Sequence, residues 1–133
     1  MRISPDTVAE VVTEVSSRMT DPHFTEIQVG GFVQSQTPAA QYVGAHADEL
    51  GGAEKVAEAL FHAAVIGLCF QRGYQRTVRE MSFEELDYVA SGDREQILRE
   101  QQPAIADYIE VNIESAPLRK VLVLIALAME WVS

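Results

Sequence analysis

Along most of this chain apolar residues return every three or four positions, and near the C-terminus they stop alternating with polar ones altogether. Residues 121–129 form a run of nine without a polar side chain, about two and a half helical turns that are apolar on every side rather than along one stripe. The segment 118–132, LRKVLVLIALAMEWV, is therefore expected to be a helix enclosed by the rest of the domain. Arg119, Lys120 and Glu130 close the run at both ends, and it falls well short of the roughly 30 Å hydrocarbon core of a bilayer. No membrane association is expected.

The same periodicity predicts helices upstream. Ser4 as N-cap, Pro5 at the first helical position and Asp6 in the first turn open a helix to about Met19. Val8, Val11, Val12, Val15 and Met19 make its buried side, Asp6, Glu10 and Glu14 its wet side, and Asp21 with Pro22 ends it. Thr37, as cap, and Pro38 open another helix through Ala40, Val43 and Ala47, which Gly51 and Gly52 stop. Residues 53–72, AEKVAEALFHAAVIGLCFQR, form the second strongly apolar element, interrupted before Gln71 only by Glu54, Lys55, Glu58 and His62. Gly67 inside it suggests a close helix crossing, and Gly73 supplies its stop.

Ser82 with Glu85 makes a capping box for a short helix containing Phe83, Leu86 and Val89 and ending at Gly92. Asp93 with Gln96 repeats the pattern for a helix carrying Ile97 and Leu98, which breaks near Gln102 and Pro103. The next, 103–114, turns Ile105, Tyr108, Ile109, Ile113 and then Ala116 to the core, with Asp107, Glu110 and Glu114 on another side; Ser115 and Pro117 separate it from the last helix. Only 24–36, FTEIQVGGFVQSQ, carries conflicting signals: Ile27 and Val29 alternate as in a strand, and Gly30–Gly31 could close a hairpin. A lone hairpin is marginal, so a short or irregular helical segment is expected, its glycines permitting close packing. The sum is an all-α protein, a compact single-domain bundle over 1–133 of about six or seven helices with a buried C-terminal helix.

Composition narrows the function classes. A chain of 133 residues is sized for one domain. Twenty acidic against ten basic residues give a formal charge of -10, which would repel a phosphate backbone, so no nucleic-acid partner is expected. One cysteine, Cys69, excludes an internal disulfide framework, and the first residues lack the basic and apolar regions of a secretory signal. A cytoplasmic location is the expectation. No nucleotide-binding loop, nucleophile elbow or zinc-finger spacing is present, and no cofactor is called for.

Two constellations could carry chemistry. His46 with Glu49 and Glu58 with His62, on helices joined by a glycine turn, are the candidate metal ligands, with Glu110 and Glu114 as further carboxylates. Their spacings depart from the glutamate-then-histidine, three-residue pattern of di-metal bundles, and the plainer reading is His62 hydrogen-bonded to Glu58 at the helix boundary. Arg72, Arg76 and Arg79, with Tyr74 among them, are the candidate site for an anionic ligand or acidic partner. The plainer reading pairs these arginines with Glu80, Glu84, Glu85 and Asp87 downstream. Cys69 reads as an inert core thiol, Asn112 as a buried polar group that fixes packing, and Trp131 as a lid on the core.

The expected function is a non-catalytic protein–protein interaction or regulatory module with a protein partner. A homodimer is possible because two nearly all-apolar helices could exceed what one subunit covers. The alternative is a carboxylate and histidine metal enzyme, or a small-ligand pocket lined by Phe61, Phe70 and Tyr108.

Overall fold

A computed structural model describes residues 2–133. Among these residues there are nine helices and no strand: α1 (Pro5–Arg18), α2 (Phe24–Ser35), α3 (Thr37–Ala45), α4 (Ala47–Leu50), α5 (Ala53–Tyr74), α6 (Phe83–Val89), α7 (Arg94–Gln101), α8 (Pro103–Asn112) and α9 (Ala116–Val132). The all-helical architecture is as expected, while the number of helices exceeds six or seven. One reason lies at His46. Its Nδ1 sits 2.8 Å from the Tyr42 carbonyl, occupying an acceptor the helix would use, while its own N–H turns back to Val43 and Gly44, so the expected single helix splits into α3 and α4.

At the centre is α9. Val121 to Met129 are all buried, and α4, α5, α6, α7 and α8 pack around it. The helix begins at Ala116, earlier than expected, with Pro117 inside its first turn and the Ser115 hydroxyl accepting the Leu118 N–H. One chain thus encloses the 121–129 run of this helix. Among the described residues no helix is long and apolar enough to cross a membrane.

The segment 24–36 is a regular helix, α2, and not an irregular one. Phe24 and Phe32, two turns apart, are buried, with Gln28 half-buried between them and Gln36 buried beyond, so one narrow stripe docks the helix on α5. The strand-like alternation was misleading, because Ile27 is 65% exposed. Nothing lies within 4 Å of a side chain placed at Gly30 or Gly31, so these glycines do not serve close packing. The close approach is at Gly73 instead: a Cβ there would sit 2.8 Å from Ile3. Gly73 does not stop α5, which runs to Tyr74 and ends at Gln75, held at φ 57°. At Gly67 α5 meets the Met129 side chain of α9, where a Cβ would sit 3.6 Å from Met129 Cε, an ordinary van der Waals contact.

Local caps fall close to where their chemistry placed them. The Ser4, Ser82 and Asp93 side chains accept N–H groups of α1, α6 and α7, and Glu85 completes the box at Ser82. Thr37 is not the cap of α3; Gln36 occupies that position, while the Thr37 hydroxyl donates back to Val33 O. Four further side chains depart from expectation. Met19 lies beyond the last buried turn of α1 and is 50% exposed. Asn112 and Ala116 are exposed because the chain turns extended at Ile113, and the Asn112 amide donates to Tyr108 O of its own last turn. Trp131 is no core lid, being 56% exposed.

Two glutamines organise the junctions between these helices. Gln36 lies between α2 and α3, and Gln102 between α7 and α8, each buried, with φ of -131° and -140°. Gln36 Oε1 accepts the Met81 N–H at 2.8 Å, and its amide donates to the Arg79 carbonyl at 3.0 Å, which fastens the extended stretch before α6. Gln102 Oε1 accepts the Ile3 N–H at 2.8 Å, fastening the stretch before α1.

Candidate functional site

The four residues considered as metal ligands are drawn into separate arrangements. His46 is committed to the Tyr42 carbonyl at the α3–α4 junction, and Glu49 on α4 is exposed. Glu58 pairs with Lys55 at 3.2 Å. His62 shares a 2.8 Å hydrogen bond with the Tyr108 hydroxyl of α8, its ring centroid 5.6 Å from Phe61 and 5.9 Å from Tyr108. Burial lowers the His62 pKa against the opposing pull of Glu58, which favours a neutral imidazole at pH 7. Glu110 is held by Arg99 at 2.8 Å, and Glu114 is exposed. Among the described residues no group of three or more His, Cys, Asp or Glu is placed to hold a metal ion. Phe70, the third aromatic of the expected pocket, is fully buried and stacks on Tyr74.

The arginine set divides as well. Arg72 reaches back to α1, donating to both carboxylate oxygens of Glu14 at 2.8 and 2.7 Å. Arg79 makes a similar fork with Glu85, and its hydrogen bonds hold that carboxyl below the usual carboxylate range. Arg76 is exposed with its guanidinium 5.7 Å from the centre of the Tyr74 ring, and among the described residues it makes no ion pair. Cys69 is buried, which pushes its thiol up to about 12 and leaves it protonated.

A different site lies where α6, α7 and the last turn of α9 converge. Tyr88 and Trp131 are 64% and 56% exposed, yet their rings lie against each other with centroids 4.7 Å apart. They wall a groove of about 520 Å³ whose apolar lining comes from Val89, Ile97 and Leu127. Glu130 lines it too. The Glu130 carboxylate is fixed from beneath: Oε2 accepts the Tyr74 hydroxyl at 2.7 Å and the Gln102 amide at 2.8 Å, and Gln102 also donates to the Tyr74 oxygen at 3.2 Å. Burial and the Glu130 carboxylate together push the Tyr74 phenol up to about 12, so it remains a donor at neutral pH. Both donors converge on Oε2. Among the described residues Oε1 has no hydrogen-bond partner and Glu130, half-buried, has no ion pair.

A second groove, of about 340 Å³ between α2 and α5, is lined by Ile27, Gln28, Gly31, Leu68, Gln71 and Val78, with Phe32 buried below it. Sequence periodicity did not single out the aromatic groove. The available signal was the pairing of a tryptophan with a carboxylate directly after an uninterrupted apolar run, where a helix emerges from its enclosure. The class defined here is an all-helical bundle carrying an exposed aromatic and carboxylate groove. Comparison with family models, with curated proteins and with solved structures finds no match to this chain.

Proposed function

We propose that this protein is a non-catalytic interaction or regulatory module of the cytoplasm, and that it engages a protein partner through the groove walled by Tyr88 and Trp131. The observation that carries the reading is the exposure of two aromatic side chains, their rings tilted against each other, over an apolar lining. Aromatic residues bring large contact area with few rotors to freeze and dominate the energetics of protein interfaces. The titratable groups elsewhere support the same reading, since the histidines and two of the three arginines are spent on intramolecular partners. A second copy of the chain seated on the same groove is the homodimeric form of this proposal.

The test is recovery of the partner from native cells by the wild-type protein and by Trp131→Ala, Tyr88→Ala and Arg76→Glu variants, each checked for helix content by circular dichroism. The expected outcome is loss of the partner with either aromatic variant and retention with Arg76→Glu. Loss with Arg76→Glu alone would move the interface to the arginine segment.

A further inference from the structure

Resting on the groove as the docking surface, we infer that its occupant is a partner segment that presents an arginine between apolar residues, the guanidinium seated between the Tyr88–Trp131 pair and Glu130. Three features converge on that chemistry. First, the carboxylate of Glu130 is presented rather than consumed: it lines the groove, two neutral donors hold Oε2, and among the described residues Oε1 accepts no hydrogen bond and Glu130 makes no ion pair. Second, it lies next along the chain to an exposed aromatic surface, and a ring face attracts a cation most strongly when the cation is partly desolvated. Third, the chain carries a formal charge of -10, which steers a basic partner in and repels an acidic one.

Arginine satisfies all three better than lysine. Its planar guanidinium stacks on an aromatic ring while one edge hydrogen-bonds to a carboxylate, and its aliphatic stem can lie on Leu127, Val89 and Ile97. Three basic side chains of this chain are otherwise placed: Arg2 donates to the Glu100 carbonyl at 2.8 Å, Arg99 is bound by Asp107 and Glu110, and Arg76 lies over the Tyr74 ring without an ion pair to Glu130. No ion pair to Glu130 forms among the described residues, so in this assignment the partner is the source of the positive charge.

Trp131 is the only tryptophan, so its fluorescence reports the groove without a label. The experiment titrates the full chain with a helical peptide of about sixteen residues, carrying one arginine with leucines one turn away on each side, and with its twin bearing citrulline, the neutral isostere. The expected result is about tenfold tighter binding of the arginine peptide. That gap should collapse in Glu130→Gln, which keeps an oxygen for Tyr74 and Gln102, and persist in Glu54→Gln, which removes the same charge from the exposed start of α5. Tyr88→Ala, at a side chain already largely exposed, should weaken the arginine peptide several-fold in a folded protein. Equal binding of the two peptides would overturn the arginine assignment while leaving the groove as a docking surface. No response of Trp131 to either peptide would overturn the assignment, and concentration-dependent protection of Trp131 in the protein alone would replace it with a second copy of the chain.

Discussion

The two glutamine junctions start from the same design and end in different chemistry. In each, a helix stops at a buried glutamine, a proline follows within two residues, and the side-chain oxygen captures the backbone N–H of a distant stretch, Met81 in one case and Ile3 in the other. At Gln36 the amide is then spent on the backbone carbonyls of Arg79 and Val78, and the network closes. At Gln102 the amide reaches Tyr74 and Glu130, and the network continues to a carboxylate in an open groove. A device that fastens chain segments together thus also positions an acceptor at the surface when its second partner is a side chain.

That difference can be broken by removing each glutamine in turn. Gln102→Leu should have the largest effect, a loss of about 3 kcal/mol in urea unfolding, because the Ile3 N–H is left buried and unpaired while Tyr74 and Glu130 lose a shared donor. The same change should erase the preference of the groove for arginine over citrulline. Gln36→Leu should cost less, about 1–2 kcal/mol, since it orphans the Met81 N–H but leaves carbonyls beside exposed Arg79 that water can reach. Peptide binding at the groove should be unchanged, and an equal loss of discrimination in both variants would contradict the contrast.

Alkaline titration sharpens it further. With the Tyr74 phenol raised to about 12, protonated Tyr74 stabilises the fold fully below its ordinary pKa near 10, and that contribution is lost as pH rises through about 12. Glu130→Gln removes one cause of the elevation, so ring ¹³C spectra should show Tyr74 ionising at lower pH, while Gln36→Leu should leave it in place. The smallest effect is expected at Arg76. Its exposed guanidinium lies 5.7 Å from the centre of the Tyr74 ring, and Arg76→Glu should change unfolding free energy by about 0.5 kcal/mol or less.

What could be read from the sequence was local. Caps at Ser4, Ser82 and Asp93 are completed within one turn by neighbours in the chain, and the 121–129 run announces an enclosed helix by itself. Gln36 and Gln102 were passed over as ordinary polar residues at a break, because their meaning lies in Met81 and Ile3, 45 and 99 positions away. Trp131 was misjudged for a related reason. Only Glu130 separates it from the apolar run, but the surrounding helices do not cover it, and where an enclosure ends is a property of tertiary packing. The histidine and arginine sets look like sites because like residue types fall close in sequence; in space they disperse, His62 to Tyr108 and Arg72 to Glu14 on other elements, His46 and Glu58 to Tyr42 and Lys55 nearby in the chain.

The most direct test of an exposed aromatic pair beside an uncompensated carboxylate needs no partner at all. Trp131 emission can be quenched with neutral acrylamide, cationic caesium and anionic iodide at matched ionic strength, in the wild-type protein, Glu130→Gln and Glu54→Gln. The expected result is efficient quenching by acrylamide, caesium well ahead of iodide, and a gap that narrows in Glu130→Gln far more than in Glu54→Gln. Weak quenching by acrylamide, or a gap that narrows equally in both variants, would contradict it.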